Sequence, residues 1–201
     1  TVVAGAADSQ NITVSGVATA TNTLTVAGVE TINLTSSALK STIDTLTAAN
    51  TTTLNIDGDA KLTIGVIPAT LKTIDASSMT GDLVISAYTL TPAANSFSGS
   101  QGSDTVTVTS GELTQTTTFE GNGGVDTLIL LAPADWNVLT YANVTGFEVL
   151  GAAELGTYDF SKLAGGVAVL SADAANAGGS VIFSNMPSTS TGTITNTEGF
   201  D

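Results

Sequence analysis

The chain has 201 residues, and its 18 acidic side chains face only 4 lysines, with no arginine, histidine or cysteine, so the formal net charge is −14. Without cysteine there is no disulfide framework, thiolate nucleophile or cysteine zinc site, and without histidine the commonest general base and transition-metal ligand are missing. Four scattered lysines leave little to neutralise phosphates, which sets aside nucleic acid and anionic membrane surfaces as partners. Hydrophobic residues nonetheless make up 42%. That is too many for a disordered acidic tail and enough, at this length, for a sizeable core.

Thr is the commonest residue, and Val, Ile and Leu are frequent. β-Branched residues at this density favour strands, where they pack well on a pleated surface. In chain order, Ile12-Thr13-Val14-Ser15-Gly16, Leu24-Thr25-Val26-Ala27-Gly28 and Leu54-Asn55-Ile56-Asp57-Gly58 each read aliphatic-polar-aliphatic-x-Gly, a strand followed by a turn. Alternation also marks strands at Thr23 to Val26, Thr53 to Ile56, Lys61 to Ile64, Asp82 to Ile85 and Thr105 to Thr109. Gly28-Val29-Glu30-Thr31-Ile32 recurs as Gly146-Phe147-Glu148-Val149-Leu150, and Thr73-Ile74-Asp75-Ala76-Ser77 resembles a further rung. The intervals between such units are irregular (12, 22 and 30 residues), which stacked rungs tolerate by letting insertions leave as loops. The expected fold is all-β, a parallel β-solenoid or β-helix with a β-sandwich as the alternative. It divides into irregular rungs over 1–98, Gly-rich turns over 99–131 and further rungs over 132–201, which one continuous domain can hold. Ser36 to Leu46 and Tyr158 to Leu163 are the places for short helical or loop turns. A charged-then-apolar leader and an apolar run of about 18 residues are both lacking, and the sequence reads as a piece of a longer protein.

Two stretches carry chemistry. Gly99-Ser100-Gln101-Gly102-Ser103-Asp104-Thr105-Val106-Thr107 and Gly121-Asn122-Gly123-Gly124-Val125-Asp126-Thr127-Leu128-Ile129 both fit the nonapeptide Gly-Gly-x-Gly-x-Asp-x-aliphatic-x, with Ser100 and Asn122 at the second glycine. This repeat belongs to Ca²⁺-binding parallel β-helices. Ca²⁺ takes six to eight hard oxygens, many of them backbone carbonyls, and glycines allow the turn to aim successive carbonyls inward. Asp104 and Asp126 are the candidate carboxylate ligands, with carbonyls near Gly99, Gly102, Gly121 and Gly124 and the Asn122 position completing the shell. Their separation of 22 residues exceeds two tandem nonapeptides, so a loop inserted around Glu112 to Thr118 is expected. Asp57 and Asp59, on either side of Gly58, are weaker candidates whose simpler role is a solvated turn. Glu30 and Glu148 hold equivalent places in the repeated rung and share a role: a turn hydrogen bond, a ligand or simple solvation. Glu120 directly precedes the second nonapeptide. Trp136 reads as an edge cover, and Lys40, Lys61, Lys72 and Lys162 as surface residues.

Gly121 to Leu130, followed by Ala142-Asn143-Val144-Thr145-Gly146-Phe147-Glu148-Val149-Leu150, resembles RTX-containing surface-layer proteins of Gram-negative bacteria. There a Gly-rich turn ending Asp-Thr-Leu often precedes a Gly-Phe/Val-Glu-Thr-Leu rung. Residues Ala48 to Thr63 are similar to a mid-chain rung of such proteins, and the resemblance covers roughly residues 24–165. It implies an extracellular protein exported by type I secretion, Ca²⁺-dependent folding outside the cell, and self-association with neighbouring subunits into a two-dimensional coat. This chain departs from the family in having only two, degenerate nonapeptides. Neither a lipopolysaccharide-anchoring region nor a C-terminal secretion signal is identifiable, so anchoring falls to another region of the full-length protein.

The leading expectation is therefore a structural module of a calcium-dependent surface layer rather than an enzyme. The alternative is a calcium-stabilised segment of an RTX adhesin binding a glycan or a partner cell. A polysaccharide-cleaving β-helix enzyme is disfavoured because no Arg or His is present and no two acids mark a cleft. The Thr-x-Thr runs at 105–109 and 116–118 invite ice binding, against which the irregular spacings weigh.

Overall fold

The alternation of Thr with aliphatic residues becomes, in the computed structural model, a stack of short parallel strands. The structure describes residues 7–17, 21–89, 95–109, 117–131, 143–152, 156–159, 169–173, 181–186, 188 and 191–195. One seven-stranded sheet is formed by β1 (Ser9–Val14), β3 (Thr31–Ser36), β5 (Thr53–Gly58), β7 (Thr73–Asp75), β9 (Ser96–Ser98), β11 (Thr118–Glu120) and β13 (Val144–Thr145). A nine-stranded sheet holds β2 (Thr23–Thr25), β4 (Ser41–Thr47), β6 (Leu62–Val66), β8 (Leu83–Tyr88), β10 (Thr105–Val108), β12 (Thr127–Leu130), β14 (Val149–Ala152), β16 (Val169–Asp173) and β18 (Thr191–Thr195). The strands β15 (Gly156–Asp159) and β17 (Val181–Ser184) pair with each other. Through β14 the chain alternates strictly between the two large sheets, so each coil contributes one strand to each. This is a parallel β-solenoid.

Register shows why the fold closes. Thr31 pairs with Ser9 and with Thr53, one coil away on either side. Steps in this sheet run from 20 residues (Thr53 to Thr73) to 25 (Phe119 to Val144), and the commonest is 22. Because the side-chain period of a strand is two, this register keeps one face of every strand inward. Ile32, Leu54, Ile74, Phe97, Phe119 and Val144 form one inward column. Ile43, Ile64, Ile85, Val106, Leu128 and Leu150 form the facing one. All belong to a single buried cluster, and burying each such side chain contributes roughly 1.5–3 kcal/mol. Phe97 stacks 6.0 Å from Phe119, which meets Tyr88 edge-on at 6.3 Å. The outward faces carry the Thr and Asn residues of the alternation.

Two expectations change. Ser36 to Leu46 holds no helix: β3 ends at Ser36, Ala38 turns in the left-handed region (φ 63°), and β4 starts at Ser41. The β-branched residues Thr42, Ile43 and Thr45 gain more from pairing with β6 than an isolated turn of helix would give. Tyr158 and Asp159 likewise lie in β15, while Phe160 to Leu163 fall outside the described residues. The second change concerns the loop expected around Glu112 to Thr118. Thr118 opens β11 in the opposite sheet, so the interval of 22 residues is a whole coil rather than two nonapeptides with an insertion. Glu112 to Thr116 lie outside the described residues.

Candidate metal centre

At the corner leading into the nine-stranded sheet, the residues immediately before six successive strands form a column along the solenoid axis. It reads Lys40, Lys61, Asp82, Asp104, Asp126, Glu148, preceding β4, β6, β8, β10, β12 and β14. A parallel strand entering its sheet from a turn presents N–H groups that the ladder does not reach, and these need acceptors. In the acidic half of the column the next coil supplies them. Leu83 N–H donates to Asp104 Oδ1 (2.8 Å), Asp104 N–H to Asp126 Oδ1 (2.8 Å), and Asp126 N–H to Glu148 Oε2 (2.9 Å).

The two nonapeptide aspartates are both buried, with 1% and 0% relative exposure, but they differ in what holds them. Asp104 also accepts the Ser100 hydroxyl at 2.6 Å and, on its other oxygen, the Ser100 backbone N–H. Both its oxygens are thus occupied by protein donors. Asp126 has no such neighbour: Asn122 stands where Ser100 does, and Asp126 Oδ2 is buried with no hydrogen-bond partner. Burial pushes the Asp126 carboxyl up to about 7, and the nearby charges of Asp104 and Glu148 push the same way against the stabilising Asp104 N–H. Asp104 is also raised, chiefly by burial, with the Ser100 and Leu83 bonds opposing.

The glycines let the turns lie directly on one another. A side chain on Gly121 would fall on the Gly146 carbonyl oxygen and 2.6 Å from Asp126 Oδ2. One on Gly99 would meet Asp104 Oδ2 and the Gly121 carbonyl, one on Gly102 would meet Asp82, and one on Gly124 the Gly102 carbonyl. Asn122 sits in the left-handed region (φ 71°) and donates through Nδ2 to Gly99 O at 2.6 Å and Ser98 Oγ at 3.0 Å. Gly123 N–H and Val125 N–H bond down to Ser100 O (3.3 Å) and Ser103 Oγ (3.1 Å). The predicted stacking of the two Gly-rich turns is therefore present, and Asp104 and Asp126 are neighbours in it.

The other sequence-level candidates lie elsewhere. Asp57 Oδ1 accepts its own turn's Gly58 N–H at 2.7 Å, and Asp59 Oδ1 accepts Ala38 N–H at 3.3 Å. Both are exposed, two coils away from Asp104. Glu120 is exposed on β11, and only its backbone oxygen approaches the site, accepting Gly99 N–H at 2.8 Å. Glu30 and Glu148 share a turn hydrogen bond: Glu30 Oε2 accepts Asp8 N–H at 2.8 Å just as Glu148 serves Asp126. They do so on opposite sheets. Trp136 and Lys162 lie outside the described residues. Ser100 and Asp82 were not anticipated, although Asp82, Asp104, Asp126 and Glu148 are each 22 residues apart in the sequence.

Among the described residues no three acidic side chains gather into a ready metal cage. A hard cation here would draw on the buried, unpartnered Asp126 Oδ2 and on the Gly146 carbonyl, which both lie beside the Gly121 α-carbon and are oxygen donors of the kind Ca²⁺ takes. The two turns differ at this point: Asp126 keeps an unpartnered buried oxygen, whereas at Asp104 the corresponding oxygen is taken by Ser100. Comparisons with protein-family models, with curated proteins and with solved structures found no match to this chain.

Proposed function

We propose that the chain is a structural module of a secreted, calcium-stabilised surface layer that self-associates into a two-dimensional coat, with lipopolysaccharide anchoring carried by another region of the full-length protein. The observation that carries this reading is the buried, unpartnered Asp126 Oδ2 in the stacked glycine turns, in a chain of net charge −14. An anion in that position needs a counter-charge, and among the described residues no cation is paired with it. Ca²⁺ bound between the turns by Asp126 and the carbonyls around Gly121 and Gly146 supplies the missing charge to the native form alone. The chain stays loose where calcium is scarce, as inside the cell before type I export, and tightens outside. A solenoid with short, hydroxyl-covered strands and neither cysteine nor histidine suits a coat, and the reading assigns it no catalytic step.

The test is a thermal melt in chelator and in millimolar Ca²⁺. A site filled at 100 times its Kd adds about 2.7 kcal/mol, which for a chain of this size raises Tm by roughly 5–10 °C. Identical melts in the two conditions would sink the calcium reading. Ordered sheets in electron micrographs of the full-length protein support the coat; dispersed particles in calcium speak against it.

A further inference from the structure

The column at the corner begins with two cations. Lys40 and Lys61 stand on adjacent coils, with Ser41 N–H bonded to Lys61 O at 3.0 Å. Lys61 pairs with Asp82 at 3.9 Å, the one ion pair among the described residues. Lys40 is exposed and is left facing a like charge, in a chain where acids outnumber lysines 18 to 4. Beside it Leu39 is 63% exposed. The projection is fixed from below: Ala38 is in the left-handed region, Ala38 N–H bonds to Asp59, and Leu39 O accepts Gly16 N–H.

A groove of about 380 Å³ lies on the outer face of the seven-stranded sheet, lined by Asn33, Thr35, Asn55, Asp57, Asp75 and Ser78. Asparagines on successive coils run one way along the groove: Asn33 Nδ2 donates to Asn11 Oδ1 (2.7 Å) and Asn55 Nδ2 to Asn33 Oδ1 (2.8 Å). The ladder therefore ends with Asn55 Oδ1 facing the next rung, which is Asp75. Asp57 and Asp75 spend one oxygen each on their own turns, at Gly58 and Ser77. The end of the groove thus gathers acceptors, and no described cation is paired with them.

We infer that this edge is a self-association surface, in which Leu39 and Lys40 of one copy seat in the groove at Asp57 and Asp75 of a second copy. The inference rests on the self-assembling reading above and names the surface that reading lacks. Every copy carries both the projection and the groove, so each chain offers both halves of the contact and the association repeats from copy to copy. The charge pair sets orientation and partner choice, while Leu39 supplies the apolar burial that an exposed ion pair lacks.

Sedimentation velocity of the full chain in calcium, over a range of concentrations, tests this, with Tm recorded on the same samples. The wild-type chain is expected to associate, and Lys40→Asp to weaken association by roughly tenfold or more. Asp75→Asn, which keeps an acceptor for Ser77, and Leu39→Ala, which touches no charge, are expected to weaken it less. Lys40→Asp combined with Asp75→Lys is expected to recover most of the loss. A wild-type chain that stays monomeric, a Lys40→Asp variant that associates as well as wild type, or a double variant no stronger than Lys40→Asp alone overturns the surface. If any of these occurs while calcium still raises Tm, only the surface falls; if calcium leaves Tm unchanged, the calcium reading falls whatever the association shows.

Discussion

Asp104 donates its backbone N–H to the Asp126 carboxylate one coil further on, while its own carboxylate takes the N–H of Leu83 one coil back. Each buried acid is thus a cap for its neighbour before it is anything else. The difference between the two lies in their second oxygens: Ser100 fills that of Asp104, and nothing fills that of Asp126.

Substituting each aspartate in turn separates cap from counter-ion site. Asp126→Asn keeps an oxygen for Asp104 N–H and removes the uncompensated charge. Its calcium-free form is expected to melt above wild type, and its calcium response to vanish. Asp104→Ala leaves Leu83 N–H and Ser100 N–H without acceptors and is expected to cost about 2–4 kcal/mol, read as a lower urea midpoint. A calcium response that survives in Asp126→Asn would move the site elsewhere.

The pH dependence of the calcium-free protein follows from the same oxygen. In the unfolded chain Asp126 ionises near ~3.9, whereas burial holds it up to about 7 in the fold. The folded form therefore keeps a proton that the unfolded form loses, so stability falls as pH rises from about 4 to 7 and levels off above that. Asp104, shifted upward as well, adds in the same direction. In chelator, Tm is expected to be higher at pH 5 than at pH 8, and millimolar Ca²⁺ to narrow the gap. A calcium-free Tm that rises from pH 5 to pH 8 contradicts this account.

Gly121 and Gly28 make a controlled pair. A methyl on Gly121 meets the Gly146 carbonyl of the next coil, whereas Gly28 (φ 74°) has nothing within 4 Å of the added carbon. Gly28→Ala is expected to lose only the backbone term, about 1 kcal/mol. Gly121→Ala must push adjacent coils apart and is expected to lose about 3 kcal/mol or more. Urea midpoints that rank the two the other way would show that the turns do not pack as described.

Glu30 and Glu148 are predicted to respond alike. Alanine at either removes one acceptor and is expected to lower stability by about 1 kcal/mol, whereas glutamine keeps an acceptor and recovers most of it. A glutamate-to-glutamine change as damaging as alanine, at either position, would mean that charge rather than hydrogen bonding is the role.

The fold was legible because Thr-aliphatic alternation is a direct statement of which side chains face inward. Ile32, Leu54 and Ile74 could be placed on one face from their neighbours alone, and the structure stacks them. The period was hidden because the recurring Gly-x-Glu rung is used once in each sheet, by Glu30 before β3 and by Glu148 before β14. Comparing those copies mixes two half-coils and makes the spacing look irregular. The series Asp82, Asp104, Asp126, Glu148 shows the true step, but only once acids are compared with acids. Asn11, Asn33 and Asn55 repeat it on the outer face. What sequence could not give is the inequality of the two turns. Ser100 and Asn122 look like equivalent replacements for one glycine, yet the first satisfies its own aspartate and the second reaches the coil below. Ser36 to Leu46 misled for a related reason, since the strand there exists only because neighbouring coils offer it a partner.

The step of 22 residues also bears on how such a chain changes length. Each cap reaches across one coil, with donor and acceptor separated by that same interval at Asp8 and Glu30, at Asp104 and Asp126, and at Asp126 and Glu148. Duplicating or excising one whole coil within the acidic series keeps these caps facing an acceptor and keeps the inward columns in register. Gaining or losing a single residue inside a strand turns its side chains over and breaks the column. Inheritance by complete coils is thus the route by which solenoids of this kind grow or shrink without passing through an unfolded intermediate sequence.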